Sequence, residues 1–264
     1  MHTPGTPLAR FIAYFWALHD VPVDATARLV PSGTLDLVFN LHEDAMRIDD
    51  LHSGVCHGYS GAVAAGAYGR PIVSHNRTRA SVIGVHFRPG GALPFLGVLP
   101  GELADRHVDL EILWGRSASE LRERLCLATS STERFAVLES ALRSRLPDDV
   151  PGHRAVPFAL EQLARPGCTV SEVAASVELS RRRFTQVFTS EVGMTPKQLS
   201  RVLRFRRASE LARRTKALDW GQLALACGYF DQSHLINEVR EFTGTTPEGL
   251  LRATAQFEDL HLIG

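Results

Sequence analysis

A chain of 264 residues with 44% hydrophobic and 22% charged residues can build two folded cores and is too apolar to be disordered. No stretch approaches about 18 consecutive apolar residues, so neither a membrane span nor a membrane partner is expected. The net charge of zero hides two unlike halves, since residues 1–150 carry −3 and residues 151–264 carry +3.

The first half is predicted to be β-rich and barrel-like. Residues 1–7 look like a loose leader and residues 54–69 like a Gly-rich connection. Short apolar runs bounded by turn residues predict strands at 11–18, 35–41, 46–48, 72–74 and 81–87. The leucine spacing then predicts helices at 117–128 and 131–146.

A Pro-bracketed polar stretch after the second helix is typical of a linker. The predicted boundaries are 1–147 for an N-terminal sensor or dimerisation domain, 148–153 for the linker, 154–254 for a helical domain and 255–264 for a tail.

One helical unit occurs twice in the second half, at residues 169–196 and 219–247. Each copy has a capping-box pattern, small residues, a helix cap, an apolar stripe, and a Gly three residues ahead of a Pro. The matched pairs are Thr169/Asp219, Glu172/Gln222, Ala174/Ala224, Ser180/Asp231, Phe184/Leu235, Gly193/Gly244 and Pro196/Pro247. Two helices joined by a tight turn form a helix-turn-helix motif. The sequence therefore predicts an α+β chain whose all-α C-terminal domain holds two such units joined by a long helix.

The second helix of each unit has an outward face suited to base edges. Arg can pair with guanine, and Gln or Asn with adenine, in a major groove. Residues 181–216 hold 11 Lys/Arg against two Glu, a density suited to a phosphate backbone. An ordinary solvated helix surface is the alternative. The candidate DNA contacts are Arg181, Arg182, Thr185, Gln186, Arg204, Gln232, Ser233, Asn237 and Arg240.

Roles are expected for the candidates of the first unit and for arginines of the joining helix. Base contacts are expected from Arg182, Thr185 and Gln186, and support from Arg181 and Arg183 at phosphates or base edges. Three arginines of the joining helix are expected at the DNA backbone, namely Arg201, Arg204 and Arg207. That helix would span about 25–29 Å, which allows recognition helices about 34 Å apart in successive major grooves.

Several motifs of the second half resemble the AraC/XylS family of bacterial transcription regulators. They are Arg204-Phe205-Arg206-Arg207-Ala208, Leu223-Ala224, Gly228-Tyr229-Phe230-Asp231-Gln232-Ser233 and Gly244-Thr245-Thr246-Pro247. The resemblance covers about residues 156–252 and implies a seven-helix DNA-binding domain. It places base contacts at Arg182, Thr185, Gln186, Ser233 and Asn237, with Gln232 beside them. The chain departs from the family at Val239, where a Phe is usual, and near Glu238. Because Glu238 and Glu241 make the second recognition helix less cationic, the first unit is expected to dominate affinity.

Residues 29–40, 84–92 and 110–115 are similar to an uncharacterised N-terminal domain often paired with this DNA-binding unit. The resemblance implies sensing, and because the helices next to the linker commonly dimerise in relatives, a homodimer is expected. A small-molecule effector and RNA polymerase are further candidate partners. Whether the protein is an activator or a repressor stays open. The leucine faces of residues 117–146 are the candidate dimer surface, or they cover the β-rich core.

Polar residues near strand ends are the candidate ligand site at a barrel mouth. They are Asp36, Asn40, Arg77, Arg79 and Arg88. Arg77 and Arg79 alternate along the chain and could hold an anion, or they form a solvated basic edge.

Metal and cysteine chemistry is not expected. Iron-site spacing is absent among the candidate ligands His42, His52, His57, His75, His86 and Cys56, so neither a metal nor a cofactor is predicted. Cys56 as a thiol sensor is an alternative. The four cysteines are far apart, as in a reducing cytoplasm. The predicted function is that of a non-enzymatic, sequence-specific DNA-binding transcription regulator controlled by an effector. A regulator whose first domain only dimerises and a metal-dependent barrel enzyme fused to a DNA-binding arm remain the alternatives.

Overall fold

The computed structural model describes residues 1–21, 26–49, 54–75, 80–215 and 219–256. Within these ranges the strands are β1 (Ile12–Val21), β2 (Thr26–Leu29), β3 (Asp36–Asn40), β4 (Met46–Asp49), β5 (Cys56–Tyr59), β6 (Ala62–Ala65), β7 (Ile72–His75), β8 (Ala80–Phe87) and β9 (His107–Asp109). They form two antiparallel sheets, in the orders β1-β8-β3-β6-β9 and β2-β7-β4-β5. The prediction of a β-rich first half is confirmed, and among the described strands no ladder joins the two sheets into a closed barrel.

Two expectations for this half were wrong. The supposed Gly-rich connection at 54–69 contains β5 and β6. The leader is not loose, because His2 exchanges backbone hydrogen bonds of 2.9 and 2.7 Å with Phe15 of β1. In both places, cross-strand pairing overrides a weak local pattern.

Within the described residues this half also has four α-helices. Helix α1 (Leu93–Leu96) lies between β8 and β9, and α2 (Leu110–Trp114), α3 (Ser117–Leu127) and α4 (Ser131–Arg143) follow β9. The two long predicted helices are thus confirmed as α3 and α4. Their leucines are buried in the same hydrophobic cluster as the core-facing side chains of the five-stranded sheet; these are Leu121, Leu125, Leu138 and Leu142. They cover the β core, so this stripe is not a free dimer surface.

The C-terminal half is helical, as predicted. Within the described ranges its helices are α5 (Ala155–Leu163), α6 (Val170–Ser176), α7 (Arg181–Val192), α8 (Pro196–Arg214), α9 (Trp220–Ala226), α10 (Gln232–Thr243) and α11 (Pro247–Gln256). The α6–α7 and α9–α10 pairs are the two helix-turn-helix units, and α8 joins them. Its 19 residues span about 28 Å at about 1.5 Å per residue.

One hydrophobic cluster continues from the β-rich half into the first helix-turn-helix unit, reaching from Leu8 to Leu199. Gly101 lies so close to α7 that an added Cβ would stand 2.8 Å from the Thr189 carbonyl oxygen. The second unit has a separate cluster built on Phe205, Leu235 and Phe242. The predicted boundary at residues 148–153 therefore separates chain segments, while the first unit packs firmly on the N-terminal half.

No helix within the described residues has both the length and the apolar character needed to cross a membrane.

Candidate nucleic-acid interface

Local side-chain caps fix the first unit. Thr169 and Glu172 form the predicted capping box at the start of α6. Ser180 Oγ accepts a 3.2 Å hydrogen bond from the Arg183 N–H and begins α7, and left-handed Gly193 (φ +89°) ends it. Phe184 and Phe188 are buried. These contacts orient the opposite face of α7 outward.

The outward face of α7 holds the candidate base contacts. Arg181, Arg182 and Gln186 are exposed, whereas Thr185 is half-buried and donates a 2.9 Å hydrogen bond to the Arg181 carbonyl. Arg183 Nη1 donates to Gln186 Oε1 at 3.1 Å, which orients the amide. Arg182 and Gln186 therefore both lie exposed on the outward face of α7.

The second unit repeats this arrangement with a weaker first cap. Asp219 accepts from the N–H groups of Gly221 and Gln222, but the expected return bond from the Gln222 side chain is not among the contacts of this cap. Asp231 Oδ1 accepts from the His234 N–H at 2.7 Å and begins α10. The predicted DNA contacts of this helix are all exposed, namely Gln232, Ser233, Asn237 and Arg240.

A buried carboxylate ties α10 to α8. Glu238 is 3% exposed and accepts a 2.8 Å bond from Arg201 Nε. It also accepts bonds of 2.8–3.1 Å from Arg204 Nε and Nη2. The Arg204 guanidinium lies 4.5 Å from the centre of the Tyr229 ring, and burial, aided by the Glu238 charge, raises the Tyr229 pKa. We call Arg201, Arg204 and Glu238 the interhelix clamp.

Several arginines of α8 bond to other parts of the protein, although the sequence predicts that they contact DNA. Arg204 was predicted to contact DNA, yet its guanidinium is occupied by Glu238 inside the protein. Arg207 Nη2 donates to the Ala164 carbonyl at 2.6 Å, and Arg206 Nη1 to the Ser32 carbonyl at 3.2 Å. Arginines in the middle of α8 thus hold the helices and domains together. Glu238 also faces α8 rather than the outward face, so it does not weaken that face as the sequence suggested.

The structure separates the ligand candidates from one another. Asn40 shapes a turn, because its Nδ2 donates to the Ala45 carbonyl and its Oδ1 accepts from the His42 N–H. Arg88 Nε donates to the Ala9 carbonyl at 3.0 Å. Arg77 and Arg79 lie outside the described residues. Asp36 alone of the described candidates belongs to a cluster of titratable side chains.

That cluster crosses three adjacent strands. Tyr14 of β1 and Asp36 of β3 are both in register with His86 of β8. Asp36 Oδ1 lies 2.9 Å from His86 Nδ1, and the Tyr14 ring stacks on His86 with centroids 4.7 Å apart. Burial and then the Asp36 charge raise the Tyr14 pKa, whereas the Arg206 charge lowers it. We call Tyr14, Asp36, His86 and Arg206 the domain junction, since Arg206 comes from α8.

A second histidine on this sheet is held neutral. His107 of β9 is 7% exposed, and Tyr68 Oη lies 2.6 Å from its Nδ1. Burial lowers its pKa to about 4. Within the described ranges, no group of three or more His, Cys, Asp or Glu side chains could hold a metal ion. His52 and the His75 side chain lie outside what is described.

The loop before β3 carries the junction to α8. Gly33 adopts φ +81°, and an added Cβ would stand 2.8 Å from the Leu199 Cδ1. On the same loop, the Thr34 hydroxyl lies 3.4 Å from His86 Nε2. The loop that contacts His86 therefore also packs against the helix that joins the two units.

Two family models match the chain. Residues 1–109 match a domain of unknown function (DUF6597), and residues 173–253 match a helix-turn-helix domain. No curated protein matches. Among solved structures, the fatty-acid-bound ToxT of Vibrio cholerae shares the fold, with a TM-score of 0.51 at 11% identity over 95% of this chain and 97% of that one.

Two further solved structures match a smaller share of the chain. The DNA-binding domain of AdpA, in complex with a target DNA, is 28% identical over 40% of this chain and 94% of that one, with a TM-score of 0.34. An AraC-type regulator from Chromobacterium violaceum is 27% identical over 39% of this chain and 90% of that one, with a TM-score of 0.34.

The helix-turn-helix family match agrees with the capped double unit and its exposed polar faces, and the resemblance predicted from the sequence is confirmed. The chain joins a DUF6597 domain to a helix-turn-helix domain, and it is a DNA-binding transcription regulator.

Proposed function

We propose that one chain binds one face of promoter DNA by placing α7 and α10 in two successive major grooves. The observation that carries the proposal is the shared geometry of the two units. Each recognition helix buries its apolar face and exposes its polar face, and a single continuous helix joins them. A span of about 28 Å plus the helix bodies is close to the ~34 Å turn of B-DNA.

The two units contribute unequally in this proposal. Arg182 and Gln186 read bases, and Arg181 and Arg183 add phosphate or base-edge contacts. In the second unit, Gln232, Ser233 and Asn237 offer neutral hydrogen-bonding groups, with Arg240 as their exposed cation. The first unit therefore supplies most of the salt-dependent affinity.

The full-length protein tests this assignment by selecting duplexes from a randomised pool. Arg182→Ala should weaken binding to the selected duplex by about 1–3 kcal/mol and relax preference at one base pair. Arg116→Ala is the matched control, because this arginine is 90% exposed and lies in the N-terminal half. An equal loss on every sequence would restrict Arg182 to a phosphate contact.

We further propose that a small-molecule effector acts at the domain junction. Asp36 and His86 offer polar groups on the sheet, and Arg206 reaches the adjoining Ser32 carbonyl from α8. A ligand that moves these groups would shift the helix that spaces the two recognition helices, and so change DNA affinity.

A panel of small metabolites, screened by thermal shift on the full chain, tests the effector. A binder raises the melting temperature. The same metabolite should still bind the Arg206→Ala variant, but it should change the DNA affinity of that variant less than that of the wild-type protein. If no metabolite that raises the melting temperature changes DNA affinity, effector control is refuted.

Homodimerisation, contact with RNA polymerase and a cytoplasmic location stay predictions. Sedimentation of the full chain tests homodimerisation. The buried leucines of α3 and α4 are not a candidate dimer interface.

A further inference from the structure

A strongly exposed phenylalanine directly precedes the N-cap of the second recognition helix. Phe230 is 86% exposed, and Asp231 after it is the N-cap of α10. An apolar residue at this position commonly packs against the fourth helical residue. Here that residue is Leu235, which is 1% exposed and buried in the core of the second unit. The exposure of Phe230 shows that its ring is not used in such a contact.

The first unit provides an internal comparison. Leu179 precedes the N-cap Ser180 as Phe230 precedes Asp231. Leu179 is partly buried and packs against the large hydrophobic cluster. The same position therefore supports the protein core in the first unit and points a large aromatic ring to solvent in the second.

The surroundings of Phe230 indicate what it meets. Gln232 and Ser233 are exposed and form the first turn of α10, the part of a recognition helix that contacts base edges. The Phe230 N–H lies 3.3 Å from His234 Nδ1, which holds residue 230 beside that turn. The exposed ring is thus continuous with the proposed DNA surface.

We propose that Phe230 reads a thymine of the second half-site through the C5-methyl group of the base. This methyl is the apolar group that a base pair shows in the major groove, and apolar side chains recognise it. The proposal rests on the proposed DNA-binding mode and adds a specificity determinant to it. The Glu238 side chain faces α8 and bonds to Arg201 and Arg204, so it is not available to the DNA. An apolar contact by Phe230 would let the second unit discriminate bases without a charged side chain.

The test uses the full chain and duplexes that the wild-type protein selects from a randomised pool. Each thymine of the second half-site is replaced in turn by uracil, which removes the methyl and keeps the pairing. One such replacement should weaken wild-type binding about fourfold, as expected for the loss of one buried methyl group.

Phe230→Ala should bind the thymine duplex about tenfold more weakly and be indifferent to that uracil. Phe230→Leu should retain part of the discrimination. The matched control is Ile112→Ala, an apolar residue that is 74% exposed in the N-terminal half and should behave as wild type. Because both side chains are exposed, unchanged circular dichroism melting is expected for each variant.

Equal responses of wild type and Phe230→Ala to every uracil duplex would overturn the proposal. A loss in Phe230→Ala that is uniform over all duplexes would assign the ring to the sugar-phosphate backbone and would also overturn it. If the wild-type protein selects no duplex at all, the DNA-binding mode itself fails. Failure at Phe230 alone leaves that mode intact, so the two failures are distinguishable.

Discussion

Removing the Glu238 carboxylate should loosen the second recognition helix from α8. In the wild-type protein this carboxylate is 3% exposed and bonds to both Arg201 and Arg204. Glu238→Ala leaves two guanidinium groups without their shared anion. Breaking a buried ion pair in this way costs about 3–5 kcal/mol. The arginine side chains are 28% and 22% exposed and can partly rehydrate, so we expect about 3 kcal/mol.

Glu241 offers a matched control on the same arginine. It lies 2.5 Å from Arg201 Nη2, but its side chain is 58% exposed. Exposed ion pairs contribute about 0–1 kcal/mol, so Glu241→Ala should have a small effect. The two variants each remove one carboxylate from α10 and differ chiefly in burial.

Hydrogen exchange of peptides from α10 in the full chain measures the difference locally. A loss of about 3 kcal/mol should speed exchange of the protected amides roughly 100-fold in Glu238→Ala. Glu241→Ala should change it less than about fivefold. Equal acceleration in both variants would refute the reasoning that burial makes the Glu238 contacts strong.

Further predictions concern His107 on the five-stranded sheet and the helix cap Thr169. His107 should make the protein less stable at low pH, because burial lowers its folded-state pKa to about 4. As the pH falls below ~6.5, the unfolded chain binds the proton before the folded protein does. The free energy of unfolding should therefore decrease by about 3 kcal/mol by pH ~4. His107→Gln should reduce this loss, measured as the change in urea midpoint between pH ~7 and ~4.5; an unchanged loss would contradict the assignment. Thr169→Ala should cost about 1 kcal/mol in the first unit by removing the cap of α6, measured by exchange of its peptides, and no change would show that the cap is replaced.

The helical half could be predicted closely because its signals are local. Thr169, Ser180 and Asp231 cap helices as their spacing indicates, and Gly193 and Gly244 are left-handed at the helix ends. Such caps act over three or four residues, which is the range that a single sequence shows.

The clamp could not be predicted, because Arg204 and Glu238 are 34 positions apart. A run of arginines looks the same whether it meets phosphates or a buried carboxylate. The signal that could have suggested it is Glu238 itself, a charged residue in register with the apolar positions Leu235, Val239 and Phe242 of the α10 stripe.

The first half was harder for a related reason. The strands β5 and β6 contain small and polar residues, and their pairing with β4 and β3 supplies the order that local propensity lacks. Asn40 looked like a ligand residue because it is polar and next to a strand, whereas it bonds to its own turn. Asp36 is also a polar residue of β3, but its side chain contacts His86 on the neighbouring strand β8.

A hydroxyl-radical and methylation-protection footprint of the full chain on its selected duplex tests the central claim most directly. Two recognition helices joined by α8 should protect two major-groove windows about 10 base pairs apart on one face of the DNA, and the windows should weaken together as salt is raised. A single protected window, or two windows on opposite faces, would contradict the account.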